Sequence, residues 1–263
     1  MGEVLVITSG KGGVGKTTTA ANLGTGFALS GKRVALIDAD IGLRNLDVVM
    51  GLENRIVYDL VDVVEGNCRL KQALIRDKRY ETLYLLPAAQ TRDKNAVNPE
   101  QMQQLCEELS REFDYVIIDC PAGIEQGFRN AIAGATAAII VTTPEVSAVR
   151  DADRIIGLLE SEGKSDPKLI VNRIRPQMVK KGDMMDIDDI IDILAIDLLG
   201  VIPEDEYIVI STNRGEPAVT QPGSLASTAY KNIVRRLSGE TVPLMSLEVR
   251  DSFFSRVKKF LRL

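Results

Sequence analysis

A glycine-rich run near the start of the chain has the spacing of a phosphate-binding loop. It fits the pattern G-x-x-x-x-G-K-[ST], with Lys16 and Thr17 at the last two fixed positions. Glycines let successive backbone N–H groups point at one anion, the lysine neutralises the β- and γ-phosphates, and the threonine hydroxyl can hold Mg²⁺. The residues predicted to contact a nucleotide here are Gly10, Lys11, Gly12, Gly13, Val14, Gly15, Lys16, Thr17 and Thr18.

Lys11 is a second cation in the same loop. Since Lys16 already neutralises one bound nucleotide, a further lysine between two glycines suggests additional negative charge nearby. A contact with phosphate across a subunit interface is one explanation. On charge alone, a solvated loop lysine is the simpler interpretation, because lysines are mostly exposed.

Carboxylates follow two predicted strands. The run Arg33–Ile37 leads to Asp38 and Asp40, and the run Tyr115–Ile118 leads to Asp119. The second run has the form of a Walker B strand, whose apolar residues are buried in the sheet and whose carboxylate emerges near Mg²⁺. One acidic strand end is weak evidence, because many such groups are solvated or cap a helix. Two of them together with the phosphate loop are specific.

The elements around these residues alternate between short apolar runs and longer helical patterns. This alternation predicts an α/β fold with a doubly wound, mostly parallel sheet covered by helices on both faces, and a ligand at the carboxyl ends of the strands. The predicted strands are Glu3–Thr8, Arg33–Asp38, Leu83–Pro87, Tyr115–Asp119, Ala138–Thr142, Lys168–Asn172 and Leu199–Pro203. The predicted helices are Lys16–Ser30, Pro99–Glu112, Gly127–Ala133, Val146–Ser161, Ile187–Leu194 and Ser224–Leu237.

Composition excludes several classes of protein. The 263 residues suit one large α/β domain, and the net charge of −5 argues against a protein that coats DNA with its whole surface. The absence of histidine removes His-based acid–base chemistry, Ser–His triads and His metal ligands. Three scattered cysteines predict a reducing compartment and no zinc site. Without a bilayer-spanning stretch or a secretory signal, a cytoplasmic protein is expected.

The end of the chain differs from the rest. Residues 1–238 are expected to form the main domain, 239–251 a flexible tether, and 252–263 an amphipathic helix with apolar and basic residues on opposite sides. Such a cationic helix lies in a membrane interface, although docking on the core and a calmodulin-type target helix are alternatives. The residues predicted to contact the membrane are Phe253, Phe254, Val257, Lys258, Lys259, Phe260 and Leu261.

The chain resembles the deviant Walker A ATPases of the ParA/MinD family, a group of P-loop NTPases. The resemblance rests on Lys11–Thr18, Asp38–Asp40 and Asp119–Gly123, and it extends over nearly the whole length, including the tail. It implies partner-stimulated ATP hydrolysis with ATP and Mg²⁺ as cofactors. In this family Lys11 would reach the nucleotide of the partner subunit, Asp40 would orient the attacking water, and Lys16 would stabilise the transferred charge.

The resemblance also implies further site residues. Thr17, Asp38 and Asp119 would support Mg²⁺, the two carboxylates mostly through water, while Gly42–Asp47 and Asp119–Gly123 would act as the two switches. The positions matching the adenine site are Asn172, Arg173, Pro203, Glu204 and Asp205. Asn172 is the candidate for reading the base, and without the family it is equally well read as a turn former at a strand end.

The partners implied by the family are an identical subunit, a membrane and two proteins. The ATP-bound homodimer would lie peripherally on the anionic inner face of the cell membrane and position the division septum. There it would recruit a division inhibitor of the MinC type and meet a hydrolysis activator of the MinE type or another topological factor. The helix Val146–Ser161 is a candidate for part of the docking surface, although on the pattern alone an ordinary solvated helix face is the simpler explanation. Its charged residues near the start are Arg150, Asp151, Asp153 and Arg154.

Three alternatives share parts of the pattern. A partition ATPase of the ParA type would bind nonspecific DNA, which the acidic charge and the tail disfavour. A flagellar-number regulator would need an N-terminal extension, for which the first strand leaves no room. An iron protein of the nitrogenase type would need cluster-bridging cysteines, whereas Cys68, Cys106 and Cys120 lack that arrangement.

Overall fold

An eight-stranded sheet forms the centre of the computed structural model, which describes residues 1–93 and 96–245. Its strand order is β3-β4-β2-β5-β1-β6-β7-β8, and all neighbours are parallel except β3 and β4. The strands are β1 (Glu3–Thr8), β2 (Val34–Asp38), β3 (Ile75–Arg76), β4 (Leu83–Leu86), β5 (Tyr115–Asp119), β6 (Ala137–Thr142), β7 (Lys168–Ile174) and β8 (Leu198–Pro203).

Helices cover both faces of this sheet, because its strands are apolar on both sides. In β1, Val4 and Val6 belong to one buried cluster, whereas Leu5 and Ile7 belong to the cluster on the opposite face. The helices are α1 (Lys16–Leu29), α2 (Leu46–Met50), α3 (Leu60–Val64), α4 (Leu70–Ala73), α5 (Pro99–Glu112), α6 (Gln126–Ala133), α7 (Val146–Ser161), α8 (Pro176–Lys181), α9 (Ile187–Leu194), α10 (Glu206–Asn213) and α11 (Leu225–Leu237).

The predicted doubly wound sheet is confirmed. Every predicted strand and helix of the main domain is present, with bounds that differ by two residues at most. The sequence missed the two-residue strand β3 and the short helices α2, α3, α4, α8 and α10. The strand β3 and the helices of four to six residues are too short to display a period, whereas α10 is as long as α9 but lacks an amphipathic pattern.

The structure describes the first residues of the predicted tether, 239–245. The chain turns back at Gly239, and the carbonyls of Val242 and Pro243 accept hydrogen bonds from Arg236. The proposed membrane helix, with Phe253, Phe254, Val257, Lys258, Lys259, Phe260 and Leu261, lies outside the described residues. Within the described ranges, none of the helices has the length and hydrophobicity required to traverse a bilayer.

Candidate nucleotide-binding site

The glycine-rich loop lies at the carboxyl end of β1, in the middle of the sheet. It follows β1, which pairs with β5 on one side and β6 on the other, so the loop occupies the topological switch point of the sheet. Gly15 has a φ of 104° and caps α1, and a Cβ at this position would lie 2.4 Å from Nδ2 of Asn172. Glycine is therefore required here both by backbone conformation and by close packing.

The cation of Lys16 is held inside this loop. The residue is only 8% exposed, and its Nζ donates to Oγ of Ser9 at 2.8 Å. The Ser9 hydroxyl in turn donates to the backbone oxygen of Lys11 at 2.8 Å. This chain of hydrogen bonds keeps the ammonium group at the start of α1, where backbone N–H groups also favour an anion.

Two buried carboxylates lie beside the loop on adjacent strands. Asp38 and Asp119 are register partners at the ends of β2 and β5. Desolvation is the main cause that raises the pKa of Asp38 to about 6. Desolvation, followed by the charge of Asp38, raises the pKa of Asp119 well above its ordinary value, while the Thr17 hydroxyl and Lys16 act in the opposite direction. Because burial and mutual repulsion disfavour two negative charges here, a cation beside the pair would stabilise both carboxylates.

Asp119 leaves one acceptor without a partner. Its Oδ1 is buried and makes no hydrogen bond to any part of the chain that the structure describes, an arrangement that calls for an explanation in a folded protein. The neighbouring Thr17 hydroxyl and this oxygen suit Mg²⁺, which prefers oxygen ligands and keeps several waters. Among the described residues, no group of three acidic or cysteine side chains could hold a metal ion alone. Phosphate and water would therefore complete the coordination.

Asp38 is also tied to the first predicted switch. Its Oδ1 accepts from the N–H of Asp40 at 3.0 Å, and its Oδ2 accepts from the N–H groups of Asn45 and Leu46 at 3.2 and 3.1 Å. Within the same switch, Arg44 adopts a left-handed φ of 42°. Its Nε forms an ion pair with Oδ2 of Asp47 at 2.9 Å. The carboxylate predicted to support Mg²⁺ thus also holds the backbone of the switch.

Lys11 is paired within its own chain. Its Nζ donates to Oγ of Ser147 at 3.1 Å and lies 3.4 Å from Oε2 of Glu145, at the start of α7. The side chains of Lys11 and Glu145 remain 42% and 59% exposed. This pairing accounts for part of the charge that the sequence left unexplained, and solvent weakens it.

A cavity of about 260 Å³ adjoins the loop and brings the predicted adenine-site residues together. It combines apolar walls with the polar ends of β7 and β8. Its lining residues are Gly15, Thr18, Asn172, Arg173, Pro203, Glu204, Asp205, Ile208, Val209 and Tyr230. The sequence reading missed Ile208, Val209 and Tyr230. Helix α10 lacks an amphipathic pattern, and Tyr230 has the position of an ordinary core residue of α11.

Two of the predicted base-contacting side chains are engaged inside the protein. The Nδ2 of Asn172 donates to the backbone oxygen of Val14 at 2.7 Å, while its Oδ1 accepts from the N–H of Arg173 at 2.9 Å. The carboxylate of Asp205 accepts from the N–H of Tyr207 at 2.9 Å and from the hydroxyl of Ser224 at 2.8 Å. Asn172 braces the phosphate loop, and Asp205 joins α10 to the start of α11.

Comparison with known proteins identifies the family. A sequence profile of the CobQ/CobB/MinD/ParA nucleotide binding domain matches residues 5–218. The chain is 63% identical over 263 residues to the septum site-determining protein MinD of Bacillus subtilis, covering 99% of this chain and 98% of that protein. This similarity favours the septum-site proteins over the partition, flagellar and iron-protein alternatives.

Solved structures agree with this assignment. MinD in the MinC:MinD cell division protein complex of Aquifex aeolicus aligns with a TM-score of 0.87 at 53% identity, over 93% of this chain and 99% of that one. MinD of Pyrococcus horikoshii complexed with Mg-ADP aligns with a TM-score of 0.82 at 30% identity, over 90% and 96% of the two chains. The chain therefore belongs to the CobQ/CobB/MinD/ParA nucleotide-binding family and, within it, to the MinD septum site-determining ATPases.

Proposed function

We propose that this chain is a nucleotide-controlled membrane switch. With ATP it forms a homodimer, attaches peripherally to the cytoplasmic face of the cell membrane and recruits a division inhibitor, and hydrolysis reverses these steps. The observation that carries the proposal is the phosphate loop, which holds one buried lysine and one exposed lysine. The buried Lys16 serves the nucleotide of its own chain, whereas the exposed Lys11 is available to a second one.

Thr17, Asp38 and Asp119 would hold Mg²⁺, the two carboxylates mostly through water. The bound ion supplies positive charge that neutralises the phosphates. The remaining work belongs to the protein: Lys16 and the loop amides stabilise negative charge as it develops, and Asp40 orients the attacking water. The adenine base would lie in the cavity beside the phosphate loop. The predicted residues that line this cavity are Asn172, Arg173, Pro203, Glu204 and Asp205, and Asn172 also supports the loop through its bond to Val14.

Dimerisation would transfer Lys11 from its intrachain partners to the phosphates of the second subunit. The pair with Glu145 is exposed and therefore weak, typically about 0.2–1 kcal/mol. A phosphate group carries more charge and offers shorter, stronger hydrogen bonds than one solvated carboxylate. The presence of ATP in both subunits thus favours an interface that Lys11 helps to complete.

Membrane attachment would follow from dimerisation because each tail binds weakly. A basic residue near an anionic surface contributes about 1 kcal/mol, and each fully buried apolar side chain contributes about 1.5–3 kcal/mol. Ordering the segment opposes this by about 1–2 kcal/mol per residue. These contributions nearly cancel for one tail, whereas two tails on one dimer gain avidity of the order of 10²–10⁴.

A protein partner would bind the ATP-bound dimer. The related Aquifex MinD forms a complex with MinC, so we propose a MinC-type inhibitor as the recruited protein and a MinE-type or other topological factor as the activator. The first turns of α7 expose Arg150, Asp153 and Arg154. The contacts of Lys11 lie at the start of the same helix, on Glu145 and Ser147. A surface at this place could sense whether the dimer has formed.

Co-sedimentation with anionic vesicles tests the proposal. We expect the full chain to pellet with ATP and Mg²⁺ and to remain largely in solution with ADP. Deletion of residues 252–263 should abolish pelleting while dimerisation with ATP persists, whereas Lys11→Ala should abolish dimerisation in a folded chain. Equal pelleting with ATP and ADP, or normal dimerisation of Lys11→Ala, would contradict the proposed switch.

A further inference from the structure

The guanidinium of Arg236, in the last turn of α11, is bonded to three separate backbone carbonyls. Its Nη1 donates to the oxygen of Leu199 at 2.8 Å, Nε to that of Val242 at 2.8 Å, and Nη2 to that of Pro243 at 2.7 Å. Burial lowers the pKa of the Arg236 guanidinium, because the charged group loses contact with water. Two of the three acceptors belong to the segment that leads to the C-terminal tail.

The sheet is shaped to receive this side chain. The register between β7 and β8 shifts between the pairs Leu169–Leu198 and Ile170–Gly200, which makes Leu199 the extra residue of a bulge. Its carbonyl is the acceptor that Arg236 reaches. A Cβ at Gly200 would lie 2.5 Å from Cγ1 of Ile233 and 3.4 Å from Nη1 of Arg236, so glycine allows α11 to approach closely.

The segment after α11 is bent towards the same point. Gly239 has a φ of 86°, its N–H donates to the oxygen of Arg236, and the N–H of Glu240 donates to the oxygen of Arg235. The chain then runs back past Arg236, and Met245 packs against the buried cluster on this side of the sheet. Its course is fixed through the last residue described at this end.

We infer that Arg236 is the positioning residue that fixes where the C-terminal tail leaves the domain, and so sets the tether length available for membrane attachment. The exit lies at the amino-terminal end of the edge strand β8, opposite the phosphate loop. Counted from Pro243, the last residue that Arg236 holds, the eight residues 244–251 precede Ser252, in place of the thirteen residues 239–251. The inference rests on the proposed membrane function.

The tether length matters because two tails must reach one surface together. The effective concentration of the second tail falls roughly as the −3/2 power of the tether length. Lengthening the tether from eight to thirteen residues lowers it about twofold. Loss of the anchor should therefore weaken vesicle binding of the ATP-bound dimer about twofold, while nucleotide hydrolysis in solution is unchanged.

The test compares Arg236→Gln with Arg235→Gln, since Arg235 is an exposed neighbour whose guanidinium pairs, among the described residues, with Glu240. A spin label at Leu244→Cys, in a chain with Cys68→Ser, reports the mobility of the exit segment. Vesicles of phosphatidylcholine and phosphatidylglycerol, titrated with ATP and Mg²⁺, report attachment. We expect Arg236→Gln to make the label mobile and to weaken binding about twofold, and Arg235→Gln to change neither.

A second variant separates the loss of the three hydrogen bonds from a general loss of stability. Arg236→Lys keeps the charge and the stem but cannot donate to three carbonyls in fork geometry, so it should also free the label. An immobile label in both variants, or a mobile label with unchanged or tighter vesicle binding, would overturn the inference. If the unaltered chain fails to bind vesicles, the proposed membrane function fails, and the label still decides whether Arg236 anchors the exit.

Discussion

The pair between Lys11 and Glu145 gives the sharpest prediction for the assembly step. In the single chain, Nζ of Lys11 lies 3.4 Å from Oε2 of Glu145, and both side chains are more than 40% exposed. If Lys11 must leave this carboxylate to meet a partner's phosphate, Glu145 opposes dimerisation. Glu145→Gln keeps the size and polarity of the side chain and removes the charge, so it should make dimerisation with ATP tighter.

The expected magnitude follows from the exposure of the pair. A solvent-exposed ion pair contributes about 0.2–1 kcal/mol, and one pair is released in each of two subunits, which gives about 0.4–2 kcal/mol per dimer. Because about 1.4 kcal/mol corresponds to tenfold in an equilibrium constant, the dissociation constant of the dimer should fall about twofold to thirtyfold. The hydrogen bond from Lys11 to Ser147 survives in the variant and keeps the effect towards the lower end.

Sedimentation velocity with a non-hydrolysable ATP analogue and Mg²⁺ measures this constant. Glu160→Gln is the matched control, because Glu160 is exposed near the other end of the same helix α7 and contributes to no ion pair among the described residues. The difference between the variants should shrink as salt rises, since exposed charges are screened. Dimerisation of Glu145→Gln that is unchanged or weaker would refute the reasoning and would indicate that Glu145 itself supports the dimer.

Three further predictions concern the site and its scaffold. Asn172→Ala removes the bond that braces Val14, so isothermal titration should show nucleotide binding weakened about fivefold to tenfold, equivalent to about 1–1.5 kcal/mol; unchanged affinity would remove the bracing role. Asp119→Asn should weaken nucleotide binding in Mg²⁺ but leave binding in chelator unchanged, and an equal loss in both would argue against a metal role. Gly24→Ala and Gly157→Ala, both in helices, should have opposite effects on thermal unfolding. A Cβ at Gly24 would lie 2.5 Å from Cδ2 of Leu36 and overpack the core by about 1–3 kcal/mol. A Cβ at Gly157 would meet no atom of residues 1–93 and 96–245 within 4 Å, so the helix gains about 0.8–1 kcal/mol. Equal shifts would show that packing does not decide the outcome.

Much of the fold was predictable because its signals are local. The strand β5 and the helices α5, α7 and α9 begin and end where their apolar patterns predict, since a buried parallel strand and an amphipathic helix each require a recognisable run of residues. The short elements escaped prediction for the opposite reason. Helix α10, which borders the base cavity, is held by the Asp205 cap and by contacts to distant residues, and its own sequence carries no period.

The sequence by itself determined the chemistry of the site. The phosphate loop is nine consecutive residues, and the carboxylates of Asp38 and Asp119 follow directly from their strands, so residue type and spacing are sufficient. Lys11 was also marked by the sequence, as a charge that one nucleotide does not require. These features depend on neighbours in the chain, and the family resemblance could therefore be stated residue by residue.

Only the tertiary structure decided what each of these groups contacts. Lys11 meets Glu145 across a separation of 134 residues, and Asn172 meets Val14 across 158. Arg236 meets the carbonyl of Leu199, near the opposite end of the strands, across 37 residues. No local pattern encodes these three contacts, because they arise only when the fold brings distant parts of the chain together.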